Sequence, residues 1–289
     1  MYLNMKKLAL VIVIAVAMLS SCKREKEAKQ PDTSGSAETE QISFQTDSAL
    51  RKMLINEHMV LATLYQQTAA EYRALCYQAF NFGRMMLDAD LADKSIDKHR
   101  IIVLDVDETV LDNSPYQAKS VLQSTSYPVN WDEWCNLATA DPLPGAIDFL
   151  KYARSNGVSI FYVTNRKDYL KEVTIKNLAE LGFPHADAEH VITRSAEASK
   201  EGRRQELLKK YHISLLFGDN LNDFSEEYEG LSVKERLAAV DKTSQEFGRR
   251  FIVLPNAMYG DWENALYEYN TRISDSLKFE MRRKALKSF

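Results

Sequence analysis

Residues 101–113 read IIVLDVDETVLDN, so four apolar residues run directly into Asp105, and Asp107 follows two places on. A short, branched apolar run of this kind suits a strand covered on both faces. A buried strand that ends in two aspartates sets charge at its own mouth, and Glu108 and Asp112 add to it. Carboxylates this close repel one another and cost free energy to desolvate. The fold must therefore bring compensating charge to this one point.

Further apolar runs follow at 158–163, 190–193, 214–218 and 251–254. Between them, helical spacing recurs near 144–156, 167–181, 200–210, 231–248 and 260–270, and again at the C-terminus. Pro144 and Gly182 punctuate a helix start and a helix end. This alternation predicts an α/β fold, a Rossmann-like parallel sheet flanked by helices. Upstream, Leu50, Met53, Leu54, Leu61, Leu64, Tyr72, Leu75, Phe80 and Met86 recur at three- and four-residue spacing. They predict one or two amphipathic helices from Asp47 to about Ala92, with Asp47 or Ser48 as the N-cap. This additional, mainly helical region is expected to form a cap or a surface for a homodimer.

The first residues, MYLNMKKLALVIVIAVAMLSSC, carry two lysines, an apolar run from Leu8 to Leu19 and small residues before Cys22. The run is too short to span a bilayer comfortably. Leu19-Ser20-Ser21-Cys22 resembles a bacterial lipobox, with Cys22 as the lipidated residue; an ordinary secretory signal is the alternative. Residues 23–46 are polar and read as a flexible tether. The expected division is a signal peptide over 1–21, the tether over 22–46, a helical N-terminal or cap region over 47–99 and an α/β core over 100–289. The formal net charge of −4 and the lack of a basic block argue against a nucleic-acid polymer as partner. Cys76 and Cys135 lie in no metal-like spacing and are expected to be unbridged, buried thiols.

In an open α/β sheet, ligands bind beyond the carboxyl ends of the strands. The residues that follow the strands here are Asp105 and Asp107; Thr164, Asn165 and Arg166; Lys200; and Gly218, Asp219, Asn220 and Asp223. Each has an ordinary structural reading when taken singly: a capped turn, a common G-D-N turn, a solvated lysine. Brought to one edge, they form an oxygen-rich site that suits a hard divalent cation such as Mg²⁺, and the lack of a His/Cys cluster argues against zinc.

The strings LDVDETVLDNSPY and GDNLNDF, with Thr164 and Lys200 between them, resemble the motifs of the bacterial class C acid phosphatases, within the haloacid dehalogenase-like phosphohydrolases. NWDEWCNLATADPLPGAIDFLKY, FYVTNRK and LPNAMYGDWE extend the likeness over about 50–270. Val106 and Ser214 are small departures from the usual pattern. The resemblance implies an HAD-like core and a Mg²⁺-dependent phosphomonoesterase. Asp105 would be the nucleophile that becomes an aspartyl-phosphate, and Asp107 the general acid and base. The metal would be held by Asp105, Asp107 through its main-chain carbonyl, Asp219 and Asp223. Thr164, Asn165 and Lys200 would bind the phosphate, while Trp131 and Tyr259 would sandwich a base or aromatic leaving group; the alternative for these two is that they are core or hinge aromatics packing a cap. Trp134, three residues from Trp131, reads instead as core packing. The group includes outer-membrane lipoproteins with 5'-nucleotidase activity, so the expected location is the bacterial outer membrane, cell surface or periplasm, through a lipid anchor. Two alternatives stand beside this: a phosphotransferase using the same intermediate, and a non-catalytic, ligand-binding surface lipoprotein.

Overall fold

The computed structural model describes residues 56–289. The expected signal peptide, Cys22, the tether and the N-cap at Asp47 or Ser48 lie outside the described residues. Two helices come first, α1 (Val60–Thr68) and α2 (Ala70–Ala92), parted by Ala69 in an extended conformation. Then follow β1 (Arg100–Leu104), β2 (Leu111–Asp112), α3 (Ser114–Leu122), α4 (Trp131–Leu137), β3 (Asp141–Pro142), α5 (Ala146–Ser155) and β4 (Ser159–Lys167). The chain closes with α6 (Lys171–Glu180), β5 (Val191–Arg194), α7 (Glu201–Lys210), β6 (His212–Gly218), α8 (Val233–Lys242), β7 (Phe251–Val253), α9 (Asp261–Asn264) and α10 (Asp275–Ala285).

The five long strands form one parallel sheet in the order β5-β4-β1-β6-β7. β1 is central: the chain goes from it to β4 and β5 on one side, then crosses back to β6 and β7 on the other. That reversal opens a crevice at the carboxyl end of β1, where α/β proteins bind ligands. Alternate residues of β1 feed two cores. Ile102 and Leu104 join the cluster containing Phe80, Phe149 and Phe217; Ile101 and Val103 join the one containing Phe161, Phe224 and Phe251.

α2 packs flush on the first face. Phe80 stacks on Phe217 with ring centroids 5.4 Å apart, and Phe149 lies 5.1 Å from Phe217. Gly83 permits this approach, because a Cβ there would meet the Phe217 ring at 2.4 Å. α2 is thus one of the layers that cover the sheet, while α1 packs on α3 beside the crevice. Among the described residues, no helix is long and apolar enough to cross a membrane. Both Cys76 and Cys135 are free and buried.

Several boundaries differ from the sequence reading. β4 runs on through Thr164 to Lys167, which pairs with Arg194 after a register shift. The expected helix over 231–248 stops at Lys242 and gives way to a 3-10 turn, Ser244–Glu246. The expected helix over 260–270 is a single turn followed by a 3-10 turn, ended by Glu268 and Tyr269 with positive φ. The short β2–β3 pair carries no periodic signal, since each strand has two residues.

Candidate active site

Asp105 leaves β1 with its N–H donating to the Phe217 carbonyl at 3.0 Å, so its position is fixed by the sheet itself. Asp219 follows β6 directly, and Asp223 sits in the next turn, where its Oδ2 accepts from Asn220 N at 3.0 Å. Gly218 is required there: a Cβ would stand 2.4 Å from Asp223 Oδ2. Arg204, buried on α7, holds the turn from behind by donating to the carbonyls of Asn222 and Asp223 at 2.9 and 3.0 Å. Asn256 steadies Asp219 through a 2.7 Å bond to Oδ2. Residues more than a hundred apart in sequence therefore meet: Asp105, Asp219 and Asp223 each offer an oxygen, all within 4.8 Å of one another.

Lys200 stands at the start of α7 and donates to Asp105 Oδ1 and, at 2.6 Å, to Asp223 Oδ1. One ammonium among these three buried or half-buried carboxylates leaves a surplus of negative charge. The proton affinities record it. Burial pushes the Asp105 carboxyl up to about 7, against the pull of Lys200, with Asp223 and Asp107 adding to the rise. Burial, then Asp223 and Asp105, raise Asp219 well above the carboxylate range. Burial alone would lower the Lys200 ammonium; Asp105 and Asp223 outweigh it and raise it. An all-oxygen donor set with excess negative charge is what a hard divalent cation fits, and it would keep the carboxylates ionised.

Asp107 lives in different surroundings. Its Oδ1 accepts from Arg166 Nε at 2.9 Å and from Asn113 Nδ2 at 2.8 Å. Among the described residues, its Oδ2 receives only the Thr164 hydroxyl, at 3.3 Å. Thr164 is fully buried behind Asp107, while Asn165 reaches the cleft and is tethered by Arg203 at 2.6 Å. Glu108, next along, has φ 58° and is fully buried. Its carboxylate accepts from Asn113 N at 2.8 Å and from the Tyr259 hydroxyl. Burial, then Asp107 and Asp219, raise the Glu108 carboxyl well above its usual range.

These residues open onto a cleft of about 610 Å³ lined by Asp105, Asp107, Asn165, Lys200, Asp219 and Asp223, with Trp131 and Tyr259 on its walls. Tyr116, Tyr127 and Tyr269 add further aromatic lining. Trp131 packs edge-on against Tyr116, centroids 5.0 Å apart. Trp134 is half-buried against the core and donates through Nε1 to Asn113 Oδ1 at 2.8 Å.

Arg166, Asn113, Glu108 and Asn256 carry much of this geometry without a role from the sequence. Arg166 had a legible signal. Strand side chains alternate, so Arg166 follows Thr164 to the same face of β4 and hence toward Asp107.

A carboxylate cluster, a buried lysine and a second aspartate at the switch point of a parallel sheet make an α/β enzyme built for phosphoryl transfer. The family model of the HAD superfamily, subfamily IIIB (acid phosphatase), matches residues 22–262, and the chain belongs to that family. The class C acid phosphatase from Bacillus anthracis is 49% identical, with 81% of this chain and 99% of that chain covered at a TM-score of 0.79. A crystal structure of the Bacillus anthracis class C enzyme with tungstate bound is 50% identical, covering 82% and 99%, also at 0.79. A stem 31 kDa glycoprotein of Glycine max is 27% identical over 201 residues, 67% of this chain and 69% of that protein. The protein is an acid phosphatase, a phosphomonoesterase acting on small-molecule phosphoesters.

Proposed function

We propose that this acid phosphatase is Mg²⁺-dependent, works through an aspartyl-phosphate on Asp105 and prefers nucleoside 5'-monophosphates. The observation that carries the reading is the pairing of an aspartate inside a three-carboxylate cluster, Asp105, with one outside it, Asp107. Asp105, Asp219 and Asp223, with the main-chain carbonyl of Asp107, would hold Mg²⁺. When bound, the ion supplies positive charge that offsets repulsion between an anionic nucleophile and an anionic substrate. The remaining work belongs to the chain. Asp105 attacks phosphorus, and Asp107 gives a proton to the departing oxygen and later takes one from the hydrolytic water. Lys200 and Asn165 donate to the phosphate oxygens from the cleft wall, while the expected phosphate ligand Thr164 is buried outside the cleft lining and its hydroxyl donates to Asp107 Oδ2 instead. The tungstate bound by the Bacillus anthracis relative, a tetrahedral oxyanion like phosphate, supports a site of this kind.

Trp131 and Tyr259 supply flat apolar surface in the cleft, which favours a base or aryl leaving group. Stacking of this kind contributes roughly 1–3 kcal/mol per base. Lipidation at Cys22, with attachment to the outer membrane or cell surface, completes the proposal; it rests on the leader sequence.

The test is release of an aryl phosphate by the purified enzyme, with and without EDTA. Loss of turnover in EDTA and its return with Mg²⁺ are expected; turnover indifferent to chelation contradicts the reading. In the same assay, Y259A should raise KM for a nucleoside monophosphate by roughly ten-fold and leave a small alkyl phosphate nearly unchanged. Equal effects on both remove the stacking role.

A further inference from the structure

The two oxygens of Asp107 are not equivalent. Oδ1 accepts from Arg166 Nε at 2.9 Å and Asn113 Nδ2 at 2.8 Å, and Arg166 Nη2 stands 2.8 Å from the same atom. Oδ2 has the Thr164 hydroxyl at 3.3 Å, long for an O–H···O bond. An arginine carries only donors, so every hydrogen it aims at Oδ1 excludes a carboxyl proton from that atom.

The orientation of Asn113 is fixed by its other neighbours. Trp134 Nε1 can only donate, and it points at Asn113 Oδ1 from 2.8 Å. The amide oxygen must face the indole, so Nδ2 must face Asp107. Arg166 is held as firmly. Its side chain is 1% exposed, Nη1 reaches Thr174 Oγ1 at 3.3 Å, and its guanidinium lies 5.5 Å from the Trp131 ring centroid.

We propose that Arg166 and Asn113 are positioning residues that decide which oxygen of Asp107 carries the transferable proton: they occupy Oδ1, and Oδ2 is the acid–base atom. The inference rests on the proposed role of Asp107 as proton donor and deepens it. In the first step a bond forms between an Asp105 oxygen and phosphorus while the phosphorus–oxygen bond to the leaving group breaks. The electron pair stays on the departing oxygen, which takes the proton from Oδ2 of Asp107. Asp107 is left as a carboxylate whose charge faces Arg166. In the second step water bonds to phosphorus and gives its proton to Oδ2, while the phosphorus–oxygen bond to Asp105 breaks and returns its pair to that carboxylate. Pinning Oδ1 keeps the same atom available for both transfers.

The experiment compares kcat/KM, which reports expulsion of the leaving group, across aryl phosphates of decreasing leaving-group acidity and one alkyl phosphate. The enzymes are wild type, Arg166→Lys, Asn113→Ser and Asp107→Asn, each checked for a cooperative thermal melt. A leaving group that needs no protonation should barely sense the loss of positioning. R166K and N113S are expected to lose little on p-nitrophenyl phosphate and about 10²-fold on the alkyl phosphate, so the dependence on leaving-group acidity steepens. D107N sets the slope of an enzyme without the acid. N113S leaves Arg166 in place and carries the test if R166K does not fold. Folded variants that slow all substrates equally, beside a steep D107N, overturn the positioning role and leave the acid intact. A D107N enzyme with the wild-type slope overturns the acid assignment itself and this inference with it.

Discussion

The two ends of the sheet each hold a cluster of charged side chains, and they are built in opposite ways. At the amino end, Asp90 of α2 accepts from Arg100 Nε at 2.8 Å and from the Ser214 hydroxyl at 2.7 Å, and its Oδ1 pairs with His212 Nε2 at 2.9 Å. Burial works against this carboxylate, but the bonds from Ser214, His212 and Arg100 outweigh it and hold it below the usual range. At the carboxyl end, three carboxylates share one lysine, and Asp105 and Asp219 are pushed up. A satisfied cluster ties elements together, here α2 to β1 and β6. An unsatisfied one costs stability until a ligand arrives, which marks it as the place where the molecule acts.

Replacement of Asp105 should have the largest effect. D105N is expected to lower turnover of an aryl phosphate by on the order of 10⁴-fold or more while the thermal melt remains cooperative. Chelation comes next: EDTA should remove most activity, and Mg²⁺ should also raise the melting temperature, because an ion that binds only the folded state stabilises it. The amino-end cluster should answer the other way. D90N is expected to lower unfolding free energy by about 1–3 kcal/mol in urea titrations, with kcat unchanged in folded enzyme. A D90N variant that loses turnover but keeps its stability breaks the comparison.

The smallest effect is one of pH. Without a cation, the fold keeps the Asp105 proton up to about 7, whereas the unfolded chain releases it near the ordinary carboxylate value, about 4. The stability that proton affords is full below the unfolded value and is lost as pH rises through the folded one. In EDTA, D105N should therefore gain on wild type as pH rises from about 5 to about 7.5, and Mg²⁺ should shrink the difference. Measuring the gap between the two proteins removes the contribution of His58 and His185, whose lowered values work in the opposite direction. Asp90 behaves inversely to Asp105: its contribution is present above the unfolded value and fades as pH falls through the lower folded one.

Much of this was legible in the sequence, for physical reasons. A buried parallel strand must be a short apolar run, so β1, β4, β5, β6 and β7 announced themselves, and the residues after them mapped onto one sheet edge. Asp105, Asp219 and Asp223 met there because topology alone brings strand ends together. The satisfying partners were not legible. Nothing local ties Asn113 to Trp134, or Asn256 to Asp219, since those contacts depend on how loops return over the sheet. Ser214 shows the reverse lesson. A branched apolar residue would suit this buried strand position, but the Ser214 hydroxyl completes the bonding of Asp90. The pattern over 47–92 suits a cap or a dimer surface; in its described part, α2 lies on the face of the sheet, where Gly83 admits the Phe217 ring.

The central claim is that the under-neutralised cluster makes Asp105 the atom donor to phosphorus. Rapid acid quench of the Mg²⁺-loaded enzyme during turnover, followed by peptide mapping by mass spectrometry, tests it most directly. The expected result is a phosphoryl adduct on the peptide carrying Asp105, lost in D105N. A fully active enzyme with no adduct at any quench time, or with one on another residue, would contradict it.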